Sequence, residues 1–450
     1  MGEMSKGGFE PRGEERLKSQ GTGGSDPGGL PPVSLEPTAK EPAGTAGGHP
    51  MTKVLSGVRV LELTNVLAGP FCGYQLVMLG AEVIKVEIPR SGDLARQLGA
   101  DESLNRVQMG ASFLAQNAGK KSVTIDLASA EGKAVFLRLV ESADVVVENF
   151  RPGVMSRLGV GYDLLKQKNP ALIYCAISGF GQEGPLRQAP AYDQIIQGLS
   201  GLMSISGDAD TAPLRVGYPV ADTIGGMTAA FAIAAALVRR FRDGLGAFID
   251  VSMLDSTIVT MGWVLSNYLI AEHAPRPMGN DNFTASPSGT FRTGRGLLNI
   301  AANKQEQFEA LMRLLRLAHL ITDCRFADQE GRKRHRAELT DVIEKALQEK
   351  SAEEWEVLLA EAGVPAGCVL SVPRALQHPQ IRERSLLKTF PQVPGVGRPI
   401  TVALAGFKLK GADPDVSTPP PGLGEHTDEV LAEAGYSADE RERLRRAGII

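Results

Sequence analysis

The sequence predicts an α/β protein built on a doubly wound parallel sheet, and three observations carry that reading. From Val58 onward, short apolar runs alternate with amphipathic ones, the pattern of parallel strands covered by helices on both faces. The 450 residues are 43% hydrophobic and 22% charged, an ordinary globular composition long enough for two or three domains of about 150 residues each. The longest apolar run, Met227 to Val238, is closed by Arg239 and Arg240 and is shorter than the roughly 20 residues of a membrane span, so it reads as a core helix.

Taken in order, residues 1–50 hold 12 of the 51 Gly and 7 of the 28 Pro, with Phe9 the only aromatic. Such a segment cannot bury a core and reads as a disordered leader; its acidic residues and lack of an apolar stretch argue against a targeting peptide. Residues 58–64 read as a buried strand, 71–80 as a helix stopped by Gly80, and 81–87 as the next strand, which makes one βαβ unit. The alternation continues through strand 122–127, helix 129–143, strand 144–150, a helix within 154–169 and strand 171–178. After Pro185 come helix 192–203, an Ala-rich helix from about 224 to 241, strand 248–254 and a helix reaching Glu272. A Gly- and Pro-rich stretch at 275–300 leads into a hairpin over 289–302, where a second domain begins. Its helices include 305–320 and 351–363, the latter opened by a Ser351/Glu354 capping box. Strands at 365–372 and 400–409 suggest that the C-terminal part rejoins the first domain. The boundaries expected are a large domain over 51–250, a linker helix at 251–272, a small domain at 273–370 and a return segment at 371–450.

Forty-eight basic against 52 acidic residues give a net charge of −4, which favours neither nucleic acid nor an anionic membrane. The four cysteines are far apart with no CxxC, and none of the six histidines pairs at metal spacing, so neither a zinc site nor a disulfide framework is expected and a reducing cytoplasm fits. No GxSxG is present. Gly179–Gly184 is a literal GxGxxG after a strand, but Pro185 follows at once, where a dinucleotide site needs a helix N-terminus for the pyrophosphate.

Two constellations remain. Arg90 lies just past the second strand, and Asn149, Arg151 and Arg157 lie past a later one. Ligands of doubly wound sheets sit beyond carboxyl strand ends, and a guanidinium there suits a phosphate; solvated surface arginines fit the same pattern. Asp222 stands at the mouth of the Ala-rich helix. Its ordinary pKa of about 3.9 would leave it ionised at neutral pH and able to act as a nucleophile, with the amides of Gly225 and Gly226 open to an oxyanion. A simple N-cap fits that spacing as well.

Together these stretches resemble the class III CoA-transferases, the family of formyl-CoA transferase and carnitine CoA-transferase. The resemblance rests on "GVRVLELTNVLAGP", "LGAEVIKVE", "SGD", "ADVVVENFRPG", "RLG", "AYDQIIQ", "ADTIGG" and "GEHTDEVL", in that order from about Leu55 to the end. It implies Asp222 as the nucleophile and CoA contacts at Val66, Leu67, Ala68, Ile125, Asp126, Leu127, Ala128, Asn149, Phe150, Arg151, Arg157, Pro190, Ala191, Tyr192 and Asp193, with Arg90 added by position alone. It also implies a Rossmann-like large domain made of both chain ends, a smaller middle α+β domain, and an interlocked homodimer. The reaction implied moves CoA from an acyl-CoA donor to a small carboxylic acid through an aspartyl anhydride and an aspartyl-CoA thioester. Many relatives use succinyl-CoA, and neither metal nor tightly bound cofactor is expected. Leu67, Ala128 and Pro190 stand where formyl-CoA transferase has a glutamine and lysines, and "MGNDNFTASPSG" replaces its glycine run, which weighs against oxalate as acceptor. The related acyl-CoA racemases need a histidine where this chain has Tyr192, a poor proton shuttle at neutral pH. Racemase, NAD-dependent oxidoreductase and non-catalytic CoA-binding protein are the alternatives.

Overall fold

Six strands form one parallel sheet: β1 (Arg59–Leu63), β2 (Glu82–Glu87), β3 (Lys121–Thr124), β4 (Val145–Glu148), β5 (Ile173–Ser178) and β6 (Ala247–Ser252). Their spatial order is β3-β2-β1-β4-β5-β6, so the direction of winding reverses between β1 and β4 and opens a crevice beyond their carboxyl ends. This computed structural model describes residues 53–450; the leader expected at residues 1–50 lies outside them. The mixed α/β class and the parallel sheet are as the alternation predicts.

Helices cover both faces. On one, α1 (Ala68–Met78) and the 24-residue α4 (Val220–Asp243) pack through Cys72, Leu76, Ala229, Ile233 and Leu237 onto the undersides of β1, β4 and β5; between them in the chain lie α2 (Ala130–Val140) and α3 (Asp193–Leu199). On the other, α2 packs with Val430, Leu431, Leu444 and Ile449 of the C-terminal segment. A separate core gathers around Phe308, Leu311, Leu339, Ile343 and Trp355, beside a three-stranded antiparallel sheet of β7 (Ser288–Arg292), β8 (Leu297–Ala301) and β9 (Ala366–Cys368). Beyond it, β10 (Leu387–Phe390) and β11 (Ile400–Ala403) pair with each other as a two-stranded ribbon outside the large sheet.

Several elements differ from the periodicity reading for local reasons. The helix expected over 192–203 breaks after α3, where Gly201 turns left-handed at φ 84°. That within 154–169 becomes two short helices separated at Gly159, φ 74°. The 400–409 strand stops at Ala403. Most consequentially, α4 begins at Val220, not near 224, with Pro219 in the N-cap position.

That earlier start places Gly225 and Gly226 inside α4, beyond its first four residues, so their amides belong to the helical ladder and are not available to an oxyanion. Their smallness serves packing. A Cβ on Gly226 would clash with the Ala68 carbonyl oxygen and lie 3.2 Å from the Phe71 ring; one on Gly225 would lie 2.9 Å from Met253 Cγ. Gly226→Ala must therefore push α4 off backbone that cannot yield. The expected loss is about 1–3 kcal/mol, read as a lower midpoint in urea unfolding with an unchanged m-value; an unchanged midpoint would refute the packing role.

Candidate active site

The loop after β1 is fixed from below by charges without access to water. Glu62 on β1 receives Lys85 of β2 at 3.0 Å and Lys120 at 2.7 Å, and Lys85 also reaches Asp93 at 2.9 Å; all four side chains are fully buried. Burial would raise the Glu62 carboxyl, but Lys120 and Lys85 outweigh it and hold it below the usual carboxylate range. Burial, reinforced by Lys85, pushes the Lys120 ammonium down to about 8 although Glu62 opposes the shift. Two cations and two anions balance, and each also holds backbone or hydroxyl. Lys85 donates to the Thr64 carbonyl at 2.9 Å, Lys120 to that of Pro70 at 2.8 Å, and the Thr64 hydroxyl to Glu62 at 2.8 Å. Asp93 accepts from the amides of Val66 (2.9 Å) and Ala95 (2.8 Å). Val66 is thereby held at φ 67°, a left-handed conformation rare for a β-branched residue.

The loop after β4 clamps it from the side. Asn149 accepts from the Asn65 amide and donates to the Asn65 carbonyl, both at 2.8 Å, while the Asn65 side chain accepts from the Leu94 amide at 2.8 Å. These loops, with Ile177–Gly179 at the carboxyl end of β5 and residues 187–192, enclose a cavity of about 250 Å³ at the crevice where the winding reverses. Asp222 and Met253 complete its wall.

Asp222 occupies the first turn of α4 and caps nothing, which corrects the N-cap alternative. The capping is done from 28 residues away: buried Asp193 accepts from the Ala221 amide at 2.8 Å and from Gln197 Nε2 at 2.7 Å. The Asp222 carboxyl has no hydrogen-bond partner among the described residues, and burial, with the Asp193 carboxylate second, pushes it up to about 7. Full ionisation at neutral pH, expected from the ordinary aspartate value, is therefore corrected: desolvation and a neighbouring like charge raise the carboxyl, although the N-terminus of a helix favours its ionised form.

Of the positions expected to touch CoA, Val66, Leu67, Ala68, Asn149, Phe150, Arg151, Pro190, Ala191 and Tyr192 line the cavity with Asp222. Arg90, Ile125, Asp126, Leu127, Ala128, Arg157 and Asp193 do not. Ile125 is a core residue, 1% exposed, so a contact through its side chain is corrected. Asp126 accepts from the Ala128 amide at 2.9 Å in the turn before α2, which Ser129 caps, while Arg90 is exposed on the loop after β2 and Arg157 is exposed at the end of the short helix after β4. Arg187 lines the cavity and was not foreseen; it lies in the loop of the GxGxxG lure, after which no helix begins until α3. Among the described residues no group of three or more His, Cys, Asp or Glu could hold a metal ion.

The profile of CoA-transferase family III matches residues 55–427. The chain is 37% identical over 387 residues to the succinate–glutarate CoA-transferase of Agrobacterium fabrum, covering 84% of this chain and 95% of that protein. It is 39% identical over 351 residues to the acetyl-CoA:oxalate CoA-transferase of Acetobacter aceti, covering 77% and 88%. The crystal structure of a CAIB/BAIF family protein from Brucella suis superposes with a TM-score of 0.75 at 35% identity, over 85% of this chain and all of that one.

The raised carboxyl has a thermodynamic signature. Between the unfolded value of about 3.9 and the folded value of about 7 the native state binds the extra proton, so wild-type stability attributable to Asp222 is full below pH 4 and declines until about pH 7. Asp222→Asn lacks that decline. Its melting temperature, minus that of the wild type, is expected to grow between pH 4 and pH 7 and level off above; a difference independent of pH would contradict the shifted carboxyl.

Proposed function

We propose, for a chain that belongs to CoA-transferase family III, that the cavity at the reversal of the sheet binds an acyl-CoA and that Asp222 is its nucleophile. The protein is a CoA-transferase acting on acyl-CoA thioesters and carboxylic acids. The observation that carries the site assignment is the Asp222 carboxyl itself: a desolvated acid with no hydrogen-bond partner among the described residues, raised beside Asp193, on the wall of the kind of crevice in which doubly wound sheets bind ligands.

A carboxylate with a raised pKa is more basic and therefore more nucleophilic once ionised. Ionised Asp222 attacks the thioester carbonyl of the donor, the C–S bond breaks, and an aspartyl–acyl mixed anhydride forms as CoA leaves as its thiolate. The thiolate attacks the aspartyl carbonyl, releasing the donor acid as a carboxylate and leaving an aspartyl-CoA thioester. The acceptor carboxylate attacks that thioester, CoA thiolate leaves, and its return to the acceptor acyl carbon regenerates the Asp222 carboxylate. Every step exchanges one activated acyl bond for another, and no proton is consumed. The apolar side chains of Ile177, Ala189 and Met253 beside Asp222 suit an anhydride that water would otherwise hydrolyse.

The Arg151 and Arg187 guanidiniums, exposed at the cavity rim and without a hydrogen-bonded partner among the described residues, suit CoA phosphates. Arg90, Arg157, Asp126, Leu127 and Ala128 are proposed to extend that surface along the carboxyl edge of β2 to β4. The relatives' names point to succinyl-CoA as donor and a dicarboxylic acid as acceptor. The Leu67, Ala128 and Pro190 departures argue against oxalate, whereas the Acetobacter relative argues for it, so oxalate belongs in the screen beside glutarate.

The working form proposed is a cytoplasmic homodimer with the two-domain layout set out above. By length and composition α4 could cross a membrane; a second helix, α5 (Trp263–Ala271), likewise carries exposed apolar residues. Phe231, Phe241, Trp263 and Ile270 are each more than 60% exposed, the kind of face a second copy covers. Light scattering should give twice the chain mass.

Incubating the protein with succinyl-CoA and glutarate or oxalate is expected to produce new thioesters by mass spectrometry, and Asp222→Asn to abolish them in a folded protein. Arg151→Ala or Arg187→Ala should raise KM for the acyl-CoA more than it lowers kcat, as loss of uniform binding does. Undiminished transfer in the Asn variant, or unchanged KM in both arginine variants, would overturn the corresponding assignment.

A further inference from the structure

Gln197, on α3, is fully buried and does not line the cavity, and the transfer chemistry as derived so far makes no use of it. Its amide is nonetheless almost completely engaged. Nε2 donates to Asp193 Oδ2 at 2.7 Å and to the Tyr218 carbonyl at 3.3 Å, while Oε1 accepts from the Val216 amide at 2.8 Å. A backbone N–H can only donate, and a carboxylate or carbonyl can only accept, so this side chain cannot turn over without losing all three bonds. A buried amide that specific has a costly alternative and therefore one arrangement.

The three bonds converge on the start of α4. Asp193 lies one turn before Gln197 on the same helix, and its other oxygen accepts from the Ala221 amide at 2.8 Å, the residue next to Asp222. Each oxygen of the Asp193 carboxylate thus receives an N–H, one from α3 and one from α4. The chain leading into α4 has little else to hold it. Arg215, Gly217 and Tyr218 are exposed, and among the described residues the only hydrogen bonds that tie 215–218 to any residue outside 215–220 are those to Gln197.

We propose that Gln197 is a positioning residue for the transfer reaction: it locks the Asp193 carboxylate and the approach to α4, so that the Asp222 carboxyl meets the thioester in one orientation. The proposal rests on Asp222 being the nucleophile. Covalent attack tolerates little misplacement, and about 1 Å can cost on the order of a hundredfold in rate. Because Gln197 is not on the cavity wall, its loss acts on kcat and spares the binding of CoA.

Two variants of the full chain separate this role from space filling. Gln197→Met keeps the length and unbranched shape but removes the N–H and the oxygen. Gln197→Glu restores both: burial beside the Asp193 charge keeps the introduced acid protonated, its O–H donates to Asp193, and its carbonyl oxygen accepts from Val216. With succinyl-CoA and glutarate, Gln197→Met should lower kcat about tenfold or more and leave KM for succinyl-CoA within about twofold of the wild type. Gln197→Glu should recover most of that kcat, compared with the wild type at the same pH. Hydrogen exchange supplies a readout that does not use transfer: the peptide over 214–224 should exchange faster in Gln197→Met than in the wild type or Gln197→Glu. Normal kcat in a folded Gln197→Met, equal losses in both variants, or a rise in KM that matches the fall in kcat would each overturn the proposal. Should Gln197→Met fail to fold, the wild type decides, since its Val216 amide should exchange more slowly than those of Arg215 and Gly217, and equal rates would overturn the tether. Transfer surviving in Asp222→Asn would remove the nucleophile reading and this proposal with it, whereas normal kcat in Gln197→Met beside an inactive Asp222→Asn removes the positioning role alone.

Discussion

Four buried charges hold the site in place. Glu62, Lys85, Asp93 and Lys120 come from β1, β2, the loop after β2 and the residue before β3, and none of them touches water. Removing any one would strand an opposite charge in the interior, which typically costs about 3–5 kcal/mol, so the four segments are tied to a single arrangement. What they fix is backbone: the carbonyls of Thr64 and Pro70 and the amides of Val66 and Ala95. The positive φ of Val66 is sustained by that scaffold, and the turn it makes forms the side of the cavity facing Asp222. A second buried pair, Glu87 and Arg96 at 2.7 Å with the Arg96 guanidinium 3.7 Å over the Phe113 ring, anchors the far end of the same segment.

From that scaffold the reactivity of Asp222 follows in two steps. The sheet reverses between β1 and β4 and leaves a crevice, and α4 delivers its first turn to that crevice. Asp193 then takes over the capping of α4, which frees the Asp222 carboxyl while adding a negative charge nearby. Division of labour between two aspartates thus supplies both a stable helix start and a basic carboxylate. Gly225 and Gly226 make the arrangement possible by letting α4 lie directly on the Ala68 carbonyl and Met253.

The fold was legible because it is written in periodicity: apolar strands such as Val145–Val147 and the regular spacing of Phe308, Leu311, Met312 and Leu315 report their own environment. The site was legible only through whole motifs. A single sequence shows Asp222 before a helix, but the helix is capped by Asp193, 28 residues before the Ala221 amide it accepts from, and no local signal separates the two roles. Glycine looks the same whether its amide is needed or its missing Cβ is, so Gly225 and Gly226 could be assigned only once Ala68 and Met253 were in view. The charge cluster was invisible for a similar reason. Glu62 and Lys85 sit inside strands that read as apolar, and only the parallel pairing of β1 with β2 brings them together.

The central claim, that Asp222 becomes covalently acylated during turnover, is tested most directly by trapping. Hydroxylamine added to the protein turning over succinyl-CoA, followed by digestion and mass spectrometry, should yield a hydroxamate on the peptide containing Asp222 and on no other, dependent on the donor thioester. A hydroxamate on a different carboxylate, or none while transfer proceeds, would contradict it.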